Sequence, residues 1–114
     1  VLHDQFVGGA MSFASYSIRS DGKVVDQNGA VLETWLPSGQ SAASYQVKAA
    51  LISGTAPIGD TLGTWLSCSV SRDWSESATL GHLKECVIRV SIRDAASPNT
   101  VRTTADITIS ADNT

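Results

Sequence analysis

The sequence predicts an all-β domain, a sandwich of two antiparallel sheets with about seven strands, and three observations predict it. Apolar and polar residues alternate in segment after segment, and Gly-containing turn signals recur at short intervals. Ser and Thr are abundant while charged residues make up only 17% of the chain, a composition that suits strands joined by turns better than helices. With 114 residues and an apolar fraction of 42%, the chain has material for one domain with one core.

The first eleven residues, with Gly8 and Gly9, read as an arm or linker, and residues 12–114 as the sandwich. On that arm Phe6 and Val7 are apolar and placed to dock on a neighbouring subunit. Strands are expected at 13–18, 23–25 and 31–36, separated by Asp21-Gly22 and Asn28-Gly29, pairs that accept the positive φ of tight hairpins. Tyr45, Val47, Ala49 and Leu51 alternate with Gln46, Lys48 and Ala50, so 42–52 reads as a strand in spite of its alanines. Further strands are expected at 64–70 and 73–79. The clearest pattern comes last. Cys86, Ile88, Val90 and Ile92 point one way and Val87, Arg89, Ser91 and Arg93 the other. After the Ser-Pro-Asn turn, Val101, Thr103, Ala105, Ile107 and Ile109 repeat the alternation, which predicts an antiparallel hairpin.

Thr-Trp-Leu occurs at 34–36 and again at 64–66, but the flanking residues share no pattern, so it is no repeat. Trp35 and Trp65 fall inside expected strands and read first as core residues. The other reading is an exposed platform that stacks on sugar rings, for which Trp35, before Pro37, and Trp74, beside a turn, are the better candidates. Arg72 and Trp74 lie two apart on one strand face, at a spacing that suits guanidinium-on-indole stacking. Lys48, Arg89, Arg93 and Arg102 fall on expected outward faces. They read either as a solvated face balanced by Asp94 and Asp106 or as a patch for an acidic neighbour, with Arg89 and Arg93 as assembly contacts.

A formal charge of −3 and a pI near 5.1 argue against nucleic acid as a partner. No apolar run reaches the roughly 18 residues of a membrane span, and the start VLHDQFVGG lacks the basic and apolar regions of a signal peptide, so a soluble chain is expected. It starts at Val1 rather than Met, which leaves room for a removed initiator or leader. Cys68 and Cys86 form no CxxC and have no His at ligand spacing, so no metal site is expected; one bridge or two buried thiols remain, with reduced thiols favoured. No nucleophile elbow, phosphate loop or HExxH motif is present. His3 lies in the arm and His82 in a loop, while Glu33, Asp60, Asp73 and Glu76 fall where solvated charges are expected. Neither catalysis nor a cofactor is expected.

The order SYQVKAALISGTAP, GDTLGTWLSCSVSRDWS, CVIRVSIRDAASPNTVRTTADITISA resembles a group of small bacteriophage virion proteins, often tail-associated. The likeness covers roughly Tyr16 to Ala111. It implies a sandwich of immunoglobulin or fibronectin type III flavour that serves as a non-enzymatic structural part of the virion, first of all in the tail. It further implies assembly in the bacterial cytoplasm, by self-association or by docking on a larger tail or capsid protein. Cys68 and Cys86 depart from the group, which usually shows Ser, Leu or Thr there, so a bridge would be peculiar to this chain. The alternatives are a capsid decoration protein, a carbohydrate- or receptor-binding module using an exposed Trp, and an extracellular immunoglobulin-like adhesion domain.

Overall fold

In a computed structural model of the chain, which describes residues 10–76, 83–96 and 101–112, the alternating segments become ten strands. In chain order they are β1 (Ala10–Phe13), β2 (Ser15–Ile18), β3 (Lys23–Asp26), β4 (Val31–Thr34), β5 (Tyr45–Gly54), β6 (Ile58–Gly59), β7 (Leu66–Ser67), β8 (Arg72–Ser75), β9 (Leu83–Asp94) and β10 (Val101–Asp112). Sheet I has the order β1-β10-β9-β5-β7 and sheet II the order β4-β3-β2-β8-β6. Every pairing is antiparallel except that of β1 with β10. The expected all-β sandwich is therefore present.

β9 and β10 form the expected hairpin, with Ile107 opposite Ile88 and Ala105 opposite Val90. Their inward residues Cys86, Ile88, Val90, Ile92, Ala105, Ile107 and Ile109 are buried, together with Val47 and Ala49 of β5. Tyr16, Ile18, Val24, Trp35 and Trp74 meet them from sheet II. At roughly 1.5–3 kcal/mol per fully buried aliphatic side chain, this shared face is the main stabiliser of the domain.

The count exceeds seven because residues 13–18 divide into two strands and Ile58–Gly59, which no expected strand covers, forms β6. Residues 13–18 break at Ala14, whose N–H donates to Gln27 Oε1 at 3.3 Å and whose carbonyl accepts from Glu76 N at 3.0 Å. These bonds replace a ladder partner at the point where the chain passes from sheet I to sheet II. β1 takes in Ala10 and Met11, both assigned to the arm from sequence; Phe6 and Val7 lie outside the described residues. Residues 42–44 form a 3-10 turn rather than the start of a strand, because Ser41 Oγ caps it by accepting from Ala43 N. Residues 64–70 keep only the two-residue β7. Cys68 N then donates to the Tyr45 carbonyl, and Ser67 Oγ accepts from Ser69 N to turn the chain away. β8 ends at Ser75, and the rest of its expected run, 77–79, lies outside the described residues.

Candidate functional site

The outer face of sheet I carries the predicted cations, and each has a partner within the domain. Arg89 grips Asp106 with two bonds, Nε to Oδ1 at 2.8 Å and Nη2 to Oδ2 at 3.1 Å, made possible because the two residues are directly opposite in the β9/β10 register. This fork holds the Asp106 carboxyl below the usual carboxylate range and raises Arg89 further. Arg102 Nε donates to Asp94 Oδ1 at 2.8 Å. Arg93 Nε donates to Gln46 Oε1 at 2.9 Å, and its guanidinium lies 4.1 Å from the centre of the Trp65 ring, with Lys48 Nζ at 5.2 Å. Ser91 and Thr104 share a hydroxyl hydrogen bond at 3.2 Å between these rows. Of the two readings of this face, the geometry fits the balanced, solvated one.

The first reading of Trp35 as a core residue holds, and the platform reading of Trp35 and Trp74 does not. Trp35 and Trp74, proposed from sequence as platforms, are 1% and 0% exposed and present no face to a ligand. Each is fixed at both ends of its polarity. Trp35 N donates to the Gly22 carbonyl at 2.8 Å and its Nε1 to the Arg19 carbonyl at 3.1 Å, while its ring meets Tyr45 edge-on at 5.8 Å. Trp74 stands opposite Tyr16 in the β2/β8 register and its Nε1 donates to the Asp60 carbonyl at 3.0 Å. Trp65, grouped with the core from sequence, is the half-buried one, under Arg93 and Lys48.

Arg72 does not stack on Trp74. Both converge instead on Asp60, whose Oδ1 takes Arg72 Nη1 at 3.1 Å and whose Oδ2 takes Asp73 N at 2.9 Å. A second bond, from Arg72 Nε to the Ser67 carbonyl, keeps the guanidinium on the backbone rather than on the indole. Asp60, read from sequence as a solvated turn charge, is thus the tie between β6, β8 and the β7 turn; nothing in its sequence neighbourhood signals this.

Cys68 and Cys86 are both free and buried. Cys68 is bonded to Tyr45, which pairs with Asp94, whereas Cys86 sits eight residues down β9 from Asp94, roughly 26 Å at strand rise. A bridge needs Cα atoms within about 7 Å, so the fold places the two thiols at opposite ends of the sandwich and no disulfide joins them. Burial pushes Cys68 up to about 12, with Arg72 opposing it. Cys86 rises to about 11, through burial first and then the negative charge of Glu76. Glu76 itself is 8% exposed and its carboxylate faces the Cys86 thiol, while the buried Tyr16 hydroxyl is unpaired among the described residues. His3 and His82 lie outside the described residues, and among those described no three His, Cys, Asp or Glu side chains gather as metal ligands.

Among the described residues a cleft and a set of exposed aliphatic side chains stand out. At the Tyr45 end, Pro37, Gln40, Ser44, Tyr45, Asp94, Ala96 and Arg102 line a shallow cleft of about 380 Å³. Elsewhere the exposed large apolar residues Val31, Leu51, Ile52, Ile58, Val70 and Val101 stand at strand ends, edges and turns. Leu51 and Val101 were expected to face inward. Register shifts between Leu51 and Ser53 and between Val101 and Thr103 put both beside a bulge, where alternation no longer fixes the face.

No family model, curated protein or solved structure matches the chain.

Proposed function

We propose that this domain is a non-enzymatic structural component of a bacteriophage virion, tail-associated, working through protein–protein contacts. The observation that carries the assembly part is the division of surface chemistry. The paired arginines Arg72, Arg89 and Arg102 hold carboxylates of their own domain, and Arg93 bonds Gln46 and stacks on Trp65, while aliphatic residues such as Val31, Ile52 and Ile58 are about half exposed. Uncharged aliphatic side chains at strand ends and edges are places where a folded domain can take a partner. Repetition by symmetry lets modest patches hold a particle together. Resemblance to the small phage virion proteins supplies the setting, and on this reading Phe6, Val7, Arg89 and Arg93 add contacts.

Immunogold labelling of particles from the source lysate, with antibody raised against this chain, tests the proposal. Label on the tail supports it; label along the capsid turns it into a decoration protein; unlabelled particles, with the antigen absent from them on a blot, overturn it.

A receptor-binding module is the second reading, and the cleft at the Tyr45 end favours it rather than any tryptophan platform. Arg102 and Asp94 neutralise one another there, so its polar lining suits a neutral, hydroxyl-rich ligand better than an ion. Chemical-shift perturbation at Gln40, Ser44 and Arg102 on adding neutral saccharides checks it, and unmoved resonances at high saccharide concentration reject it.

A further inference from the structure

We infer that Lys48, Trp65 and Arg93, on the outer face of sheet I, form a docking site for an acidic segment of a different protein, one with two carboxylates two residues apart on an extended chain. The inference rests on the assembly role proposed above and names the chemistry of the partner.

The pairing that balances most of this face stops at Trp65. Arg19, Arg72, Arg89 and Arg102 each hold a carboxylate, of Asp21, Asp60, Asp106 and Asp94 in turn. Arg93 bonds Gln46 and shares the Trp65 ring with Lys48. Among the described residues Lys48 has that ring and no carboxylate. An indole carries no net charge, so an attraction of roughly 0.5–1 kcal/mol per cation leaves both formal charges in place. Two positive charges therefore stand together on a chain whose net charge is −3.

Strand pairing builds the group. Gln46 is opposite Arg93 and Lys48 is opposite Ser91 in the β5/β9 register, so the two cations are diagonal neighbours rooted about 7–8 Å apart. Both point outward, because Val47 and Ala49 beside Lys48, and Ile92 beside Arg93, are buried. Trp65 is brought to Lys48 by ties on either side of it: Gly63 N donates to the Ala49 carbonyl, and Leu66 pairs with Val47. The ring holds both long side chains near one geometry, so less rotamer freedom is lost when an anion arrives. Ser91 and Thr104 continue the row beyond Lys48 with hydroxyls only.

Charge and spacing name the occupant. Residues i and i+2 of an extended chain project to one side roughly 7 Å apart, which matches the diagonal between Lys48 and Arg93. Two carboxylates at that spacing meet the two cations. No two acidic residues of this chain stand two apart in sequence, so another chain supplies the pair. A nucleic acid fits poorly: two positive charges hold few phosphates, a net charge of −3 repels the rest, and Arg89 and Arg102 are already neutralised. The contact selects the partner and speeds its approach, while aliphatic contacts elsewhere contribute more of the holding.

NMR of the whole chain, titrated with the end-capped peptide Gly-Asp-Ser-Asp-Gly and with its Asn-for-Asp counterpart, tests the site. The expected result is binding of the Asp peptide with a Kd of about 1 mM, read as shifts at Lys48, Arg93 and the Trp65 indole N–H, and no shift with the Asn peptide. Lys48→Glu weakens that binding by about fivefold or more, because an attraction becomes a repulsion. Lys23→Glu, at an exposed site in sheet II, leaves it unchanged. Both variants melt as the parent does, since neither site is in the core. Shifts that the Asn peptide, inorganic phosphate or a DNA oligonucleotide reproduces, shifts that Lys48→Glu leaves intact, or none up to about 10 mM peptide overturn the inference. The two readings separate: a chain found in purified particles that ignores the peptide keeps the virion role and loses this site, and a chain absent from particles that binds it does the reverse.

Discussion

Replacing Trp74 by Ala and by Phe measures how much of this fold hangs on one buried ring and its single polar atom. The ring is fully buried in β8, opposite Tyr16, and its Nε1 donates to the Asp60 carbonyl at 3.0 Å. Trp74→Ala removes the whole ring, a change that costs about 3–5 kcal/mol in a packed core, and leaves the Asp60 carbonyl without its donor. A domain of this kind has about 5–15 kcal/mol of stability in all, so Trp74→Ala removes a third or more of a typical value. Trp74→Phe keeps most of the apolar volume and loses the hydrogen bond, for about 1–3 kcal/mol. Urea unfolding followed by circular dichroism gives both numbers, provided that the slope with denaturant is unchanged. If Trp74→Ala costs less than about 1 kcal/mol, the ring is not in the core and the platform reading of Trp74 returns. Equal costs for Ala and Phe would show that the apolar volume a phenyl ring retains contributes nothing at this site, against the packing part of the reasoning.

Acrylamide should quench the native fluorescence only in small part, and Trp65→Phe should remove most of that part, because Trp65 alone of the three is not fully buried; unchanged quenching in the variant refutes this. In the native protein at pH 8 a thiol reagent should find neither cysteine, and after denaturation without reductant it should find two. With folded values of about 12 for Cys68 and about 11 for Cys86 against an ordinary 9.0, the unfolded chain loses these protons first as pH rises. Stability from this source is therefore complete below pH 9.0 and declines as pH climbs toward the folded values, a decline that Cys68→Ala should reduce. Gly54→Ala should cost more than Gly29→Ala. Both residues have positive φ, worth roughly 1–2 kcal/mol to a Cβ, but Gly29 faces open space whereas Gly54 meets the Glu85 carbonyl; equal melting temperatures for the two variants would deny the close approach.

What sequence reveals here follows how regular each strand is. β9 and β10 are long and paired on both sides, so period-two alternation reports their buried face residue by residue, from Cys86 to Ile92 and from Ala105 to Ile109. The same rule fails for Leu51 and Val101, since a bulge shifts the register without any residue type that announces it. The strand position of Trp35 places it rightly in the core, whereas the neighbouring turns, which offer Trp35 and Trp74 as platforms, mislead. Trp35 follows β4 and precedes Pro37, yet its N–H and Nε1 fold it back onto the Arg19–Gly22 turn, a contact sixteen residues away by its ring nitrogen. The role of Asp60 depends on which sheet edges lie side by side, and strand order is not written in local pattern. The separation of Cys68 from Cys86 is equally topological: both are inward, apolar and eighteen apart in sequence, but one belongs to the Tyr45 end of sheet I and the other to the Gly54 end.

The measurement that bears most directly on the central claim is the copy number of this chain in density-gradient-purified particles, by quantitative mass spectrometry against the major capsid protein. A structural component held by repeated contacts should appear at a fixed ratio from one preparation to the next and survive a high-salt wash, since apolar contacts are not screened as surface ion pairs are. A chain that is absent, or present at a varying trace that salt removes, contradicts the account.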